Sequence, residues 1–184
     1  MTTPGEFSAR WRVRLGYPVA LVCLWLARPT PAWLAAGAVA AALGLVLRVA
    51  AAGHLRKHEQ LATSGPYAYT RNPLYLGSAL LALGFAVACH SWAVAAILTV
   101  YFALFYPAVM RWEEQELRAR YGGAFDDYAA CVPLFWPRLT PARTSGSAGG
   151  RFSGALYRRN HEYQAALGFL AGIALLWLIL CWRG

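Results

Sequence analysis

Long apolar runs separated by short polar stretches are the dominant pattern along the chain. Five such runs occupy residues 13–27, 32–52, 73–89, 92–110 and 165–182. They are continuous rather than striped at a helical period, which is typical of membrane-spanning helices. The pattern predicts an all-α integral membrane helical bundle of about five transmembrane helices, the first of them short and interrupted by Pro18.

Composition supports the membrane assignment, and the distribution of charge sets the orientation. The 184 residues are 59% hydrophobic and only 14% charged, which is rare in a soluble domain. Of the 17 lysine and arginine residues, three lie in residues 1–14, three in 53–72 and eight in 111–164. The positive-inside rule then makes the N-terminus and both long loops cytoplasmic, and we expect a multi-pass protein of the bacterial inner membrane. Topology and lipid headgroups account for the net charge of +9, so no nucleic-acid partner is expected.

The polar stretch between the second and third runs reads GPYAYTRNPLYLG, residues 65–77. Pro66 and Pro73 exclude a helix interior, and Pro73 suits the first turn of the helix that follows. Tyrosine rings, hydroxyl groups and the Arg71 guanidinium then lie together at a membrane boundary. Two interpretations stay open: a site that holds a polar ligand, or an interfacial loop with its tyrosines in the aromatic belt and Arg71 on lipid phosphate.

Two charged residues stand where apolar helices meet the cytoplasmic face. Arg48 lies inside the second run, where a charge costs about 2.5–3.5 kcal/mol on insertion scales. It either snorkels to the interface or, as we favour, faces a polar cavity. Glu162 precedes the last run, where a helix N-terminus favours a carboxylate. Helix capping is enough to explain Glu162; in the alternative, it faces the same cavity mouth, which the last helix then borders.

The fourth helix is predicted to continue past the membrane through residues 111–121, which carry three glutamates. Glu113 is expected to face the bundle, whereas Glu114, turned by about 100°, faces water and pairs with Arg118. The glycine pair that follows ends the helix. An aromatic, proline-broken segment, residues 125–137, is then predicted to pack over the cytoplasmic mouth as a lid.

Composition divides the chain into four parts. They are N-terminal membrane helices in residues 1–53, a core in 54–138, a flexible linker in 139–150, and an interfacial segment with the C-terminal transmembrane helix in 151–184. His54 and His58 have the i, i+4 spacing of zinc ligands, but their neighbours are basic and no third ligand is near. The four cysteines are scattered, mostly inside apolar runs, and no metal is expected.

Two motifs flank the predicted tight helical hairpin, and together they are more specific than either one alone. The first is residues 65–77, before the hairpin. The second, after it, consists of Glu113-Glu114, Tyr121-Gly122, Tyr128 and Val132-Pro133. The combination resembles the isoprenylcysteine carboxyl methyltransferase family, which belongs to a wider group that includes phospholipid N-methyltransferases. The resemblance covers residues 48–137, about half of the chain. It implies a small helical membrane enzyme that uses S-adenosyl-L-methionine, with residues 54–138 as the methyltransferase core and a cytoplasmic cofactor pocket.

Carried over by position, the resemblance also implies which residues form the site. The cofactor-binding residues would be Glu59, Gln60, Leu61, Ala62, Tyr67, Asn72, Pro73, Leu74, Tyr75 and Glu113. Arg48 matches a family arginine near the substrate, and we assign catalytic roles to Arg48 and Glu162. Asn72 departs from the Arg-His-Pro of the prenylcysteine enzymes. Val109 stands where eukaryotic members use an arginine for the substrate carboxylate, so that recognition does not transfer.

The predicted function is methyl transfer from S-adenosyl-L-methionine to a lipophilic or lipid acceptor at the cytoplasmic membrane face. A carboxylate or thiolate acceptor needs no base, whereas an amine must lose a proton to Glu162, His161 or a tyrosine. One alternative is a phospholipid N-methyltransferase. Another is an NADPH-dependent sterol-type membrane reductase. The Arg-x-Pro-x-Tyr turn at residues 71–75 resembles one in those reductases, but they have Arg-Asp where this chain has Glu113-Glu114. A scaffold or small transporter has less support, because the runs hold few polar residues and show no inverted repeat.

Overall fold

The computed structural model describes residues 4–57, 59–143 and 150–183. This part of the chain forms seven α-helices and one short 3₁₀-helix and contains no strand, which confirms the all-α prediction. The helices are α1 (Pro4–Leu26), α2 (Pro31–Ala52), the 3₁₀-helix (Gly65–Ala68), α3 (Pro73–Cys89), α4 (Trp92–Tyr121), α5 (Gly123–Cys131), α6 (Gly154–Arg159) and α7 (Tyr163–Arg183).

The five predicted apolar runs correspond to helices α1, α2, α3, α4 and α7, and only Ala27, the last residue of the first run, lies beyond its helix. By length and hydropathy α2, α4 and α7 are long and apolar enough to cross a membrane, and α3 is a shorter apolar helix of 17 residues. The fold is a helical membrane bundle, as predicted. One boundary differs: α1 begins at Pro4 rather than near residue 13, so the basic N-terminal lead is itself helical.

Prolines and one left-handed residue set the ends of the central helices. Pro31 and Pro73 occupy the first turns of α2 and α3, where the missing N–H costs nothing and the fixed φ suits a helix. His90 takes φ 48° and ψ 47°, which ends α3, and α4 starts shortly afterwards at Trp92. The helices α3 and α4 therefore form the tight hairpin that the sequence predicts.

Small residues bring α2 and α3 into close contact. A Cβ atom added to Gly84 would meet the backbone of Ala41, and one added to Gly44 would meet the carbonyl oxygen of Gly77. Such small-residue interfaces are how membrane helices approach each other closely. This pair is the frame of the bundle, because α7 packs against α2, and α1 packs against α4, the partner of α3 in the hairpin.

The predicted lid lies alongside the loop that precedes α3, and hydrogen bonds fix its register. The Arg71 N–H donates to the Pro133 carbonyl at 2.9 Å. The Thr70 hydroxyl donates to the Phe135 carbonyl, also at 2.9 Å. The first part of the lid is helical, as α5, and its remainder is extended and turned. The lid is thus attached residue by residue to the loop whose polar groups the sequence singled out.

The start of the predicted linker is packed rather than free. Ala142 is buried in a cluster with Phe125 of the lid, and its N–H donates to the Ala68 carbonyl at 2.9 Å. An apolar contact and a backbone hydrogen bond therefore extend the core beyond residue 138. Residues 144–149 of the predicted linker lie outside the described residues.

Polar contacts fasten the junction of α6 and α7 onto the end of α2. The Asn160 side chain donates to the carbonyl oxygens of Ala52, at 2.9 Å, and Leu55, at 2.8 Å. Carbonyl groups at a helix C-terminus lack helical partners, so this amide satisfies them. Nearby, the Ser153 N–H donates to the Gly53 carbonyl at 2.9 Å. The junction holds the start of α7 against the end of α2.

Candidate active site

A cavity of about 580 Å³ opens where α2 ends and α3 begins. Its walls come from α1 to α5, the loop before α3 and the residue that precedes α7. Most of the residues that sequence reasoning assigned to the site line it: Arg48, Gln60, Leu61, Ala62, Tyr67, Asn72, Pro73, Leu74, Tyr75, Glu113 and Glu162. The fold therefore brings together groups that lie more than 100 residues apart, as with Arg48 and Glu162.

Glu59 is the exception among the predicted site residues. Its side chain is 47% exposed and pairs with Arg159 of α6 at 2.6 Å, and it does not line the cavity. The physical reason is local: the turn after α2 directs this carboxylate toward solvent, where the basic end of α6 offers a countercharge. Glu59 therefore lies outside the cavity wall, and its predicted contact with the cofactor stays a prediction.

Glu113 and Tyr75 form the acidic centre of the cavity. The Tyr75 hydroxyl donates to Glu113 Oε1 at 2.5 Å, which joins the first turn of α3 to the polar end of α4. The Tyr75 ring also meets the Tyr106 ring edge-on, with centroids 5.5 Å apart and an interplanar angle of 88°. A carboxylate between aromatic walls suits a ligand that carries a positive charge or a hydroxyl group.

Glu114 does not face water, and it does not pair with Arg118. Its carboxylate pairs with Arg71 at 2.9 Å, with 19% and 16% of the two side chains exposed. Arg118 pairs instead with Asp126 of α5, at 2.7 Å on the surface. The prediction failed because the loop before α3 folds back beside α4, and a largely buried Arg71 requires a countercharge. This pairing also removes the interpretation in which Arg71 binds lipid phosphate.

The contact between Arg71 and Glu114 is an ion pair without the alignment of a hydrogen bond. Arg71 Nε and Glu114 Oε1 are buried and have no hydrogen-bond partner among the described residues. Buried polar atoms in this state are uncommon and point to an interaction partner. Both residues line the cavity, so these atoms belong to its wall.

Arg48 and Glu162 form a fork at another part of the cavity wall. Arg48 Nε and Nη2 donate to the two Glu162 oxygens at distances of 2.8 to 3.0 Å. Arg48 Nη1 donates to the Ser78 hydroxyl at 2.5 Å and to the Leu74 carbonyl at 3.2 Å. Arg48 therefore faces the cavity and does not snorkel. The Glu162 carboxylate, one residue before α7 starts at Tyr163, neutralises the charge of Arg48 on α2.

Asn72 lines the cavity, but the lid engages its side chain. The Asn72 side-chain amide donates to the Leu134 carbonyl at 3.0 Å, and the Asn72 backbone N–H donates to Thr70 Oγ1 at 3.3 Å. The residue is only 9% exposed. Asn72 therefore anchors the lid, a role that fits its departure from the Arg-His-Pro of the prenylcysteine enzymes.

Two buried tyrosines connect the lid to the loop beside the cavity. The Tyr128 hydroxyl donates to the Tyr67 carbonyl at 2.8 Å. Burial raises the pKa of both phenols above the ordinary tyrosine value, and for Tyr67 the neighbouring Tyr128, Glu113 and Glu162 raise it further. Both hydroxyls therefore remain protonated at neutral pH, which makes them hydrogen-bond donors rather than bases.

Sequence reasoning missed Arg12, which it placed on lipid headgroups. Arg12 lies on α1 and lines the cavity, with its guanidinium carbon 5.4 Å from the Tyr75 ring centroid and 5.3 Å from that of Tyr106. The signal that could have found it is the helical register of α1. Arg12 falls on the same face as Gly16 and Cys23, and Cys23 is buried in the apolar core.

The histidine spacing that suggested a metal site has a structural use at His54. His54 Nδ1 lies 2.8 Å from the Ala50 carbonyl oxygen, and the ring packs edge-on against Phe152. His58 lies outside the described residues. Within the described ranges, no group of three or more His, Cys, Asp or Glu side chains is arranged to hold a metal ion.

The fold and the cavity define a class: a helical membrane protein with a cavity lined by aromatic and charged side chains at one end of the bundle. The sequence profile of the phospholipid methyltransferase family matches residues 32–124, just over half of the chain. The chain therefore belongs to this family and is, by family, a membrane methyltransferase. This confirms the resemblance, and the matched range includes Arg48, Tyr75 and Glu113.

Two curated proteins are similar to this chain over parts of their length. Cobalt-zinc-cadmium resistance protein CzcN of Cupriavidus metallidurans is 36% identical over 137 residues, which cover 71% of this chain and 63% of that protein. Nickel-cobalt-cadmium resistance protein NccN of Alcaligenes xylosoxydans xylosoxydans is 42% identical over 92 residues, which cover 50% of this chain and 43% of that protein. The chain thus spans less than two thirds of either relative. No solved structure matches it.

Proposed function

We propose that the protein transfers a methyl group from S-adenosyl-L-methionine to a lipophilic or lipid acceptor, in the manner of the isoprenylcysteine carboxyl methyltransferases. The observation that carries the proposal is the bond between Tyr75 and Glu113, 2.5 Å long, inside the cavity of the family-matched helices. The cavity volume of about 580 Å³ lies within the range of roughly 300–1,000 Å³ for small-molecule sites.

The residues in the cavity fit this cofactor, which carries a sulfonium, an ammonium, a carboxylate, ribose hydroxyls and an adenine ring. Glu113 accepts one bond from Tyr75 and retains acceptor capacity for an ammonium or a ribose hydroxyl. Arg71 Nε is a buried donor with no hydrogen-bond partner among the described residues. Leu61 and Ala62 supply apolar wall against which a flat ring can pack.

When bound, this cofactor supplies an electrophilic methyl group, and the protein supplies position and a dry environment. Holding two reactants in line is a large part of the catalysis of such a displacement. The lid is suited to this because its register on the loop is fixed by hydrogen bonds, and Phe125 at its base is fully buried. The Asn160 and Arg48 contacts hold the start of α7 against the same cavity.

The fork between Arg48 and Glu162 favours an acceptor that needs no base. Both Glu162 oxygens accept hydrogen bonds from Arg48, so taking a proton from an amine would break the fork. Tyr67, whose pKa is raised by burial, is a poor base as well. A carboxylate or thiolate acceptor avoids this requirement. We therefore place such acceptors, bordered by Arg48 and Glu162, ahead of the phospholipid amines that the family name suggests.

We further propose that the cavity lies at the cytoplasmic face of the bacterial inner membrane and that the chain is multi-pass. The support is the concentration of lysine and arginine in residues 53–72 and 111–164. Parts of these two stretches line the cavity, including Arg56, Lys57 and Arg120. Positive charge marks the cytoplasmic side of a membrane protein.

Methyl transfer in isolated membranes tests the proposed function. Membranes that contain the protein should move label from methyl-labelled S-adenosyl-L-methionine into solvent-extractable material, and membranes with Glu113→Gln at equal expression should not. Alkaline release of labelled methanol would identify a methyl ester and separate it from an S- or N-methyl product. Equal labelling with and without the protein would contradict the proposal, and NADPH oxidation in its place would support the reductase alternative.

A further inference from the structure

The cavity contains a cation that the proposed methyl transfer does not use. The Arg12 guanidinium lies over both Tyr75 and Tyr106, at 5.4 and 5.3 Å from their ring centroids. These rings stand nearly perpendicular to each other, so the guanidinium occupies the corner between them. Tyr106 is itself stacked on Phe102, with centroids 3.8 Å apart, which holds this aromatic corner in place.

Among the described residues, no carboxylate forms an ion pair with Arg12. The cavity's ion pairs use Arg48 and Arg71, and Glu113 is hydrogen-bonded to the Tyr75 hydroxyl instead. Arg12 also interacts with the Tyr75 hydroxyl and with the charge of Glu113. The guanidinium has five N–H donors and aromatic faces accept few hydrogen bonds, so these contacts leave donors for a ligand. Arg12 is half-buried and lines the cavity, so its donors border the space that a ligand would fill.

The backbone at Arg12 is fixed independently of its side chain. The Tyr101 hydroxyl of α4 donates to the Arg12 carbonyl, and Gly16 allows the same tyrosine to approach α1 closely. Packing therefore holds α1 on α4 whatever side chain stands at position 12. The family match begins at residue 32, so Arg12 is an addition from outside the matched helices.

We propose that Arg12 forms an anion subsite that binds a carboxylate or phosphate group of a ligand in the cavity. A guanidinium presents two parallel N–H donors, which match the geometry of both groups. The anion has two sources: the amino-acid carboxylate of the proposed cofactor, or the anionic headgroup of a lipid acceptor. The first source rests on the proposed function, whereas the second can be tested without it.

The test compares Arg12→Gln with wild type and with Arg14→Gln, whose parent residue is exposed on α1 and does not line the cavity. Each purified protein is titrated with S-adenosyl-L-methionine and its decarboxylated analogue, then with dihexanoyl phosphatidate and dihexanoylglycerol, which lacks the phosphate. Arg12→Gln should weaken binding of either S-adenosyl-L-methionine or phosphatidate by about tenfold. The same variant should bind the corresponding probe without the carboxylate or phosphate as wild type does. Arg14→Gln should change none of these affinities, and Arg12→Lys should restore part of the loss.

The two sources give different outcomes. Loss confined to S-adenosyl-L-methionine assigns the subsite to the cofactor carboxylate, and loss confined to phosphatidate assigns it to a lipid headgroup. Unchanged affinity for both S-adenosyl-L-methionine and phosphatidate overturns the proposal, and so does an equal loss for the probes with and without the carboxylate or phosphate. A wild type that binds neither S-adenosyl-L-methionine nor phosphatidate also overturns it. If wild type binds phosphatidate but neither cofactor form, the proposed function fails while the lipid titration still decides the role of Arg12.

Discussion

Two pairs of charged side chains around the cavity join separate elements. Arg48 with Glu162 joins α2 to the start of α7, and Arg71 with Glu114 joins the loop before α3 to α4. Removing one partner of such a pair leaves an uncompensated charge, which costs more than removing both. The exposed Arg118–Asp126 pair has no such constraint, because solvent can hydrate either charge.

Replacing Glu162 by Leu should therefore lower stability by on the order of 3 kcal/mol, because Arg48 is left without a countercharge. The double variant Arg48→Leu/Glu162→Leu should regain part of this stability but not the methyl-transfer activity. Thermal unfolding in detergent and the membrane labelling assay measure the two effects. Arg118→Leu, at the surface pair, should change both little. Arg48→Leu alone completes the cycle, and a double variant whose loss of stability equals the sum of the losses in Arg48→Leu and Glu162→Leu would refute the coupling.

Asn72 offers a second test at the scale of single residues, because its side-chain amide donates a hydrogen bond to the Leu134 carbonyl of the lid and does not point into the open cavity. Asn72→Ala should increase hydrogen exchange of residues 132–137 even without ligand, since the Leu134 carbonyl loses its donor. Gln60→Ala, at an exposed residue of the cavity wall, is the control and should leave lid exchange unchanged. Unaltered lid exchange in Asn72→Ala would instead favour the ligand contact that the family resemblance implies.

The elements were predictable where a local pattern decides them. Continuous apolar runs identified α2, α3, α4 and α7, and prolines marked the starts of α2 and α3. The lid segment was predictable from its aromatic, proline-broken sequence. The pairing of Glu114 was not, because Arg118 at i+4 is a plausible local partner, whereas Arg71 becomes adjacent only when the loop folds against α4.

The close packing of α2 and α3 gives a prediction at the element scale. Gly84→Val should prevent this packing, because a Cβ at Gly84 already overlaps the backbone of Ala41. Gly168→Val on α7 is the matched control, since nothing lies within 4 Å of a Cβ at that glycine. Size-exclusion chromatography and thermal unfolding should show a loss of folded protein for the first variant only. Equal behaviour of the two would show that the α2–α3 contact is looser than described.

At the scale of the whole molecule, the cavity combines the family-matched helices with elements on either side of them. The matched range supplies Arg48, Tyr75 and Glu113, while α1 supplies Arg12 and the start of α7 supplies Glu162. Of the residues in the matched range that the motif resemblance named as site residues, all but Glu59 line the cavity. The resemblance could not find Arg12, because the role of that residue depends on how α1 packs against α4. The cavity therefore depends on elements outside the matched range as well as on those inside it.

Calorimetric titration of S-adenosyl-L-methionine into detergent-purified protein, beside Glu113→Gln and Glu59→Gln, tests the proposed cofactor site most directly. Wild type and Glu59→Gln should bind saturably, because Glu59 lies outside the cavity and pairs with Arg159. Glu113→Gln should lose about tenfold or more in affinity, because a charged acceptor becomes neutral. No binding by folded wild type, or an equal loss in the Glu59 variant, would contradict the assignment of this cavity to the cofactor.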